Sequence, residues 1–546
     1  MCGIYVRTLS QSVSQSVSQS VSQSVSQSVS QSVSQSVSQS VSQSAESLDK
    51  LFGRGPESVR YIVDNGTIFI GFRRLPIIDL EGGEQPFVSG NNILVANAEV
   101  FNHKSVKCDF ADKFTTKSDC EYILRAYEQG KSVVDIAKSI NGDFAFVLIT
   151  KDQIIACRDR VGIRPLFYGF RDGELCISSE LKAFEDGFTV EHVMPSIVMY
   201  FNKFTTEYTT ERYYDIYDSS YMTLNQKNHM FFPDTTLKSL LVEAVSLRLE
   251  SERPVGCLLS GGLDSSLIAM LLCKKLGAKN VRTYSIGMKG SIDLKYAKKV
   301  ADYLGTDHHE IVFTPEEGIS AIPEVIYALE SYDITTVRAS IPMYLLGKWI
   351  RKNTSDKVIF SGELSDELLC GYLYFHHAPS DKAAEDESKR LVSNVYKYDA
   401  LRADRCISSH GLELRVPFAD VNVLNYCMFA LSGKIKRPSD KIEKRILRES
   451  FSDELPPDVL WRRKDGFSDG VSSMEKPWYT HIQEHIETIY NTIVPNNEVS
   501  KEAQYYKYVY ELKYSGIVYS PISEHWMPKW GLVDKTNPSG RIIVVT

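Results

Sequence analysis

A run of apolar residues at 255–259 passes through Ser260-Gly261-Gly262-Leu263-Asp264-Ser265 straight into a helix-like run at 266–276, and no other feature narrows the choice of fold so far. A strand that ends in two glycines and opens a helix makes a cradle for an anion. The glycines let the backbone approach a phosphate, the serine hydroxyls and the free N–H groups at the helix start face it, and the helix dipole favours negative charge. The spacing differs from the common G-x-x-x-x-G-K-[ST] loop, and no lysine follows the glycines. Asp264 within the loop would repel bare phosphate, which points to Mg²⁺ shared with a diphosphate.

The alternation continues beyond this loop. Strand-like runs at 282–287, 310–313 and 358–360 are interleaved with helix-like runs at 294–304 and 341–351, the pattern of a parallel sheet covered by helices. Before residue 215 the pattern differs. Short strand-like runs at 4–6, 67–72, 93–96, 144–149 and 154–157 are separated by Gly, Asn and Asp turns, with one helical stretch at 119–129. A chain of 546 residues is also too long for one core. The expectation is therefore a β-rich first domain over residues 2–208, a linker at 209–235, and an α/β parallel-sheet domain over 236–546.

One segment belongs to neither pattern. From Ser10 to Val41 the unit S-Q-S-V repeats eight times, and residues 42–44 begin a ninth. One apolar residue in four offers little surface to offset chain entropy, so residues 10–44 are expected to form a disordered insertion without chemistry. Loop-closure entropy grows slowly with length, so deletion of Ser10–Val41 should leave activity within a few-fold.

The net charge of −7 weighs against nucleic acid as a partner. No stretch approaches the ~18 to 20 apolar residues of a membrane span, and the MCGIYVRTLS start lacks the layout of a secretory signal. The ten cysteines are scattered without C-x-x-C spacing, as for reduced thiols in the cytoplasm. The His308-His309 and His376-His377 pairs lack cysteine partners at zinc spacing, so structural roles are expected for both.

Cys2-Gly3-Ile4 carries a second line of chemistry. Met1 before a small residue is normally removed, which leaves Cys2 with a free α-amine. Such an amine has a pKa of ~7.7–8.0 and a thiol ~8.5, so the amine can act as general base for the adjacent thiol near neutral pH. Further along stand Arg54-Gly55-Pro56, Arg74-Leu75-Pro76-Ile77-Ile78-Asp79, Asn97-Ala98-Glu99-Val100-Phe101-Asn102, Ser118-Asp119-Cys120-Glu121, Gly162-Ile163-Arg164-Pro165-Leu166-Phe167-Tyr168 and Ser178-Ser179-Glu180. In order and spacing these resemble the class II glutamine amidotransferase domain, an N-terminal nucleophile fold, which implies an α+β sandwich of stacked antiparallel sheets with helices. The resemblance implies that Cys2 is the nucleophile, that Arg74 pairs with the glutamine α-carboxylate, and that Glu99 and Asp119 hold its α-ammonium. Leu75, Pro76, Ile77 and Ile78 fall within the same glutamine-binding motif. Asn97 and the Ala98 N–H would form the oxyanion hole. The family usually has glycine at position 98, histidine at 72 and aspartate at 57, where this chain has Ala98, Phe72 and Glu57.

Likewise, S-G-G-x-D-S-S resembles the PP-loop of the ATP pyrophosphatase superfamily. It is followed by Tyr332-Asp333-Ile334-Thr335-Thr336-Val337-Arg338-Ala339-Ser340, then Ser361-Gly362-Glu363-Leu364-Ser365-Asp366-Glu367, Gly371-Tyr372-Leu373-Tyr374-Phe375-His376, Arg415-Val416-Pro417-Phe418, Glu443-Lys444-Arg445-Ile446-Leu447-Arg448 and Phe467-Ser468-Asp469-Gly470. Taken together, the chain resembles the glutamine-hydrolysing asparagine synthetase family apart from the S-Q-S-V insertion. That resemblance implies an ATP-activated β-aspartyl-AMP, displaced by ammonia channelled internally from glutamine. It implies ATP contacts at Leu259, Ser260, Gly261, Gly262, Asp264, Ser265, Ile286, Ser361 and Gly362, and a role for Glu363 in forming the intermediate. Lys444 would neutralise phosphate charge, Asp264 and Asp366 would hold Mg²⁺ through diphosphate, and Thr335, Thr336 and Arg338 would contact aspartate. Leu364 and Cys370 replace glycines usual in the family. The expected partners are the small molecules glutamine, aspartate and ATP, in the cytoplasm, with no nucleic acid and no membrane; a homodimer stays open. The alternative reading is a related amidotransferase that amidates a different carboxylate.

Overall fold

A computed structural model of the chain describes residues 1–9, 38–107, 112–205, 207–221, 233–438, 440–464, 466–489, 500–521 and 525–531. The chain forms two compact units, Met1–Tyr213 with Tyr514–Tyr519, and Tyr214–Lys513 with Ser520–Thr546.

The first unit is built on two antiparallel sheets of six strands each. One contains β1 (Gly3–Thr8), β2 (Ser58–Asp64), β3 (Ile68–Arg74), β8 (Phe167–Arg171), β9 (Glu174–Ser178) and β10 (Thr189–His192), in the order β10-β8-β9-β1-β3-β2. The other contains β4 (Phe87–Ser89), β5 (Asn92–Val100), β6 (Gly142–Ile149), β7 (Gln153–Arg158), β11 (Ile197–Asn202) and β12 (Tyr208–Arg212), in the order β12-β11-β7-β6-β5-β4. Side chains alternate across a strand, so every second residue of the inner strands points between the sheets. Ile4 and Val6, Ile68, Ile70 and Phe72 meet Ile93, Val95, Ala145, Val147 and Ile149 in one buried core. Phe72 is therefore a core residue here.

The second unit centres on a five-stranded parallel sheet: β13 (Val255–Leu258), β14 (Arg282–Gly287), β15 (Asp307–Val312), β16 (Val358–Phe360) and β17 (Glu413–Arg415), in the order β15-β14-β13-β16-β17. Strand order runs outward in both directions from β13 and β16. The crevice at the carboxyl ends of such a pair is where open parallel sheets bind ligands, and both the phosphate loop and Ser361-Gly362 leave the sheet there. Helices Leu263–Leu276, Ile292–Leu304 and Ile334–Asn353 match the expected runs.

Three expectations need correction. Strand β12 runs into the stretch read as a linker and takes up its first residues, 209–212, because its pairing with β11 satisfies its backbone despite the absence of an apolar period. Residues near the C-terminus return to the first unit: the Val518 N–H donates to the Phe188 carbonyl at 2.9 Å and the Val190 N–H to the Val518 carbonyl at 3.0 Å, beside β10. The end of the S-Q-S-V repeat is not disordered. Residues 38–49 form a helix in which Ser44, Ser47 and Leu48 are buried. A Cβ on Gly71 would sit 2.7 Å from Leu48 Cδ2, and one on Gly3 would sit 2.8 Å from Leu51 Cβ, so two glycines in β1 and β3 make room for this segment. The apolar residues after the repeat anchor the helix, and the polar repeat only supplies its first turns. Residues 10–37 lie outside the described residues, and the expectation of disorder there concerns them alone.

His308 and His309 are structural. The His308 ring lies 2.9 Å from Thr283 Oγ1 and 3.2 Å from Ser285 Oγ, and burial pushes its pKa down to about 4. His309 stacks on Tyr284. Among the described residues no helix is long and apolar enough to cross a membrane.

Candidate active sites

Cys2 stands one residue before β1, and long-range contacts fix it from three sides. Its backbone N–H donates to Asn97 Oδ1 at 2.8 Å. The Leu75 N–H approaches Sγ at 3.5 Å. Arg54 Nε donates to the Cys2 carbonyl at 3.0 Å, and the same guanidinium pairs with Glu180 at 3.0 Å. Asn97 Nδ2 is buried and has no hydrogen-bond partner among the described residues. A buried amide donor left unmet beside a thiol is available to an acceptor. Ala98 lies in regular β5 opposite Phe144, so alanine needs no unusual backbone angle there.

Arg74 ends β3, its guanidinium donating to Glu84 Oε1 at 3.1 Å and to the Asp79 carbonyl at 2.6 Å. A Cβ on Gly83 would reach within 3.0 Å of Ser118 Cβ and 3.1 Å of Arg74 Nη2, so this turn brings Arg74 near the segment that carries Asp119. Asp119 accepts the Val100 N–H at 2.6 Å. The buried Cys120 thiol is pushed well up by burial, then by the charges of Asp119, Glu99 and Cys2. Leu75, Pro76 and Ile77 are buried and Ile78 half-buried beyond β3.

In the second unit, Gly261 has φ +72°, and a Cβ there would lie 2.4 Å from the Ala297 backbone nitrogen. Only glycine fits this turn. Ser260 and Ser265 hydroxyls lie 3.1 Å apart across the loop. A Cβ on Gly362 would come within 2.9 Å of the Asp264 backbone, so the end of β16 packs directly on the helix start. Asp264 receives Ser365 Oγ at 2.7 Å and Lys444 Nζ at 2.5 Å. The same Nζ lies 2.7 Å from Asp366 Oδ1, and Lys464 Nζ lies 2.6 Å from Asp366 Oδ2. Burial alone would raise the Asp366 pKa, but Lys444 and Lys464 hold its carboxyl far below the ordinary range. Leu259, Ile286, Ser361 and Glu363 line the same cavity. Arg402 donates to Glu363 at 2.7 Å and lies 2.9 Å from Asp399. Burial raises the Glu363 pKa against the opposing pull of Arg402.

A second cavity adjoins the first, and Tyr372, Asp399, Arg402 and Lys464 line both. Thr335 and Thr336 open onto it from the first turn of helix Ile334–Asn353. Both hydroxyls donate to Asp333 Oδ1 at 2.7 Å. Burial would raise the Asp333 pKa, but hydrogen bonds from His525, Thr336, Trp526 and Thr335 hold its carboxyl low.

Arg338 departs from expectation. It does not line this cavity; it is buried and forms a two-pronged pair with Glu502, with Nε 2.7 Å from Oε1. Glu502→Ala should strand a buried cation and destabilise the protein by about 3–5 kcal/mol. The paired Arg338→Met, Glu502→Leu variant should keep the parent KM for aspartate. A folded double variant with a greatly raised aspartate KM would return Arg338 to the substrate.

Leu364 and Cys370, where glycine is usual, keep positive φ values of 77° and 54°, and Lys444 has φ 51°. Non-glycine residues in this region each cost roughly 1–2 kcal/mol, so the loops around the carboxylates keep their shape at some strain. Sequence reading gave no role to Arg54, Glu84, Asp399, Arg402 or Lys464. Arg54 stood within a quoted motif, and Lys464 sits three residues before Phe467, but nothing local tells which charge meets which.

Comparison with known proteins adds relatives. The Asparagine synthase family model matches residues 236–394 and 379–513, and the Glutamine amidotransferase domain model matches residues 28–229. Proteins named asparagine synthetase [glutamine-hydrolyzing] from Pongo abelii and Homo sapiens are each 39% identical over 538 residues, covering 90% of this chain and 94% of the relative. One from Gallus gallus is 39% identical over 540 residues, again covering 90% and 94%.

Proposed function

The chain belongs to the glutamine-hydrolysing asparagine synthetase family, and from that premise we propose how its own residues divide the work. The overall reaction converts aspartate, glutamine, ATP and water to asparagine, glutamate, AMP and diphosphate.

In the first unit, Cys2 is the nucleophile once Met1 is removed. The Cys2 nitrogen, which donates to Asn97 Oδ1 as a peptide N–H, becomes an amine on removal of Met1 and takes the thiol proton, and Sγ attacks the glutamine amide carbon. The free Asn97 Nδ2 and the Ala98 N–H receive the oxyanion, where aligned donors are worth most. Arg74 meets the glutamine α-carboxylate, and Glu99 with Asp119 the α-ammonium. Protonation releases ammonia, and water then frees glutamate from the thiol.

In the second unit, Ser260–Ser265 hold the phosphates, and Leu259, Ile286, Ser361 and Gly362 hold the AMP portion. Aspartate lies in the neighbouring cavity. Because Thr335 and Thr336 give their hydroxyl protons to Asp333, they are left as acceptors, which suits the aspartate α-ammonium. The β-carboxylate attacks the α-phosphorus, diphosphate leaves, and ammonia displaces AMP from the β-aspartyl carbon. Glu363, braced by Arg402, sits where the two cavities meet. The observation that carries this reading is their common wall, which sets an adenylating nucleotide beside a second substrate.

Asp264 and Asp366 converge on one cation, the Lys444 ammonium, so the pair suits a hard divalent ion that takes its other ligands from phosphate and water. Magnesium held there would neutralise diphosphate charge. The nine described cysteines are all free, which favours the cytoplasm as the compartment. The test is one assay of purified protein with glutamine, aspartate, ATP and magnesium. Asparagine, AMP and glutamate should form in equal amounts; ADP in place of AMP, or no asparagine, would overturn the assignment.

A further inference from the structure

Six cationic side chains line the first cavity, and five of them already hold a carboxylate. Lys444 lies 2.5 Å from Asp264 and 2.7 Å from Asp366, and Lys464 lies 2.6 Å from Asp366. Arg402 is paired with Glu363 and Asp399, Arg448 with Glu443, and Arg462 with Asp293. The sixth, Arg463, is exposed and has no hydrogen-bond, ion-pair or ring partner among the described residues. It lines both cavities.

The arrangement leaves a charge deficit. Two lysines against Asp264 and Asp366 make a neutral array, yet the ligand is a polyanion whose charge becomes localised on the leaving group. One magnesium ion offsets only part of it. An unpaired guanidinium has the planar fork that matches phosphate oxygens, and it need not give up another partner to bind. We infer that Arg463 clamps the β- and γ-phosphates of ATP, and then the departing diphosphate, from the open side of the phosphate-loop cavity. The inference rests on the adenylation chemistry proposed above. It makes Arg463 a binding residue for the phosphate tail and not for aspartate.

The test uses the full-length chain and inorganic diphosphate as probe. An exposed charge contact is worth up to about 1 kcal/mol, so Arg463→Met should raise the KM for ATP and the inhibition constant of diphosphate by about five-fold each. Arg463→Lys should recover part of both. The KM values for aspartate and glutamine should stay put, and the unchanged aspartate KM reports an intact second unit. If Arg463→Met raises the aspartate KM and leaves ATP and diphosphate alone, the arginine serves the amino acid and the inference is wrong. If no constant moves, it is a solvated surface charge and the inference is equally wrong. A parent protein that makes no asparagine would instead defeat the broader reading, and direct diphosphate binding to parent and variant still separates the two failures.

Discussion

Cys2→Ala is expected to lower glutamine-supported asparagine synthesis by about 10⁴-fold or more, because removing a nucleophile leaves only binding and oxyanion stabilisation. Synthesis supported by added ammonia should stay within a few-fold of the parent. The reasons are local and separable. The thiol, Asn97 and Arg54 that frame the first site lie within one compact unit, and the carboxylate–lysine array lies within the other. The substitution keeps the Cys2 backbone, so its bonds to Asn97 and Arg54 survive and the fold should hold. Glutamate release with and without ATP, beside asparagine formation from ammonium salts, checks the split. Parental glutamine hydrolysis by the variant would show that another group does the chemistry.

The second large effect runs the other way. Asp264→Asn and Glu363→Gln are each expected to cut synthesis by about 10²–10³-fold with either nitrogen source, the size of losing one well-placed electrostatic contact. Asp264 anchors Lys444 and Ser365 at the phosphate loop. Without its charge, Lys444 is left with Asp366 alone and the neutral array is broken. Glu363→Gln removes the ion pair to Arg402, which then turns to Asp399. Both changes act before nitrogen enters, so aspartate-dependent diphosphate release should fall in parallel with asparagine, whereas glutamine hydrolysis should survive at least in part. Normal diphosphate release by either variant would remove that residue from adenylation.

Much of this was legible in the chain. Alternating apolar runs mark strands and helices because burial repeats with the local geometry of each element. The phosphate loop is visible because its glycines, serines and aspartate are contiguous. Other features were misread for an equally physical reason. The helix at 38–49 begins in a polar repeat with no amphipathic signal, yet Leu48 and Leu51 seat it against Gly71 and Gly3. Strand β12 is exposed along its whole length, so no alternation marks it, and pairing with β11 creates it.

What the sequence determined by itself is therefore the set of parts: a thiol at position 2 with the Asn97-Ala98 motif proposed for the oxyanion, a strand–loop–helix proposed for phosphate, and the two sheet types that carry them. Each is encoded by neighbours in the chain. Only the tertiary structure decided which charges meet. Lys464 reaches Asp366 across 98 residues and Arg338 reaches Glu502 across 164, so one unremarked lysine joins the phosphate site and one expected substrate ligand becomes a buried anchor. An ion pair depends on where two distant side chains are carried by packing, and burial makes that pairing strong, but no local period records it.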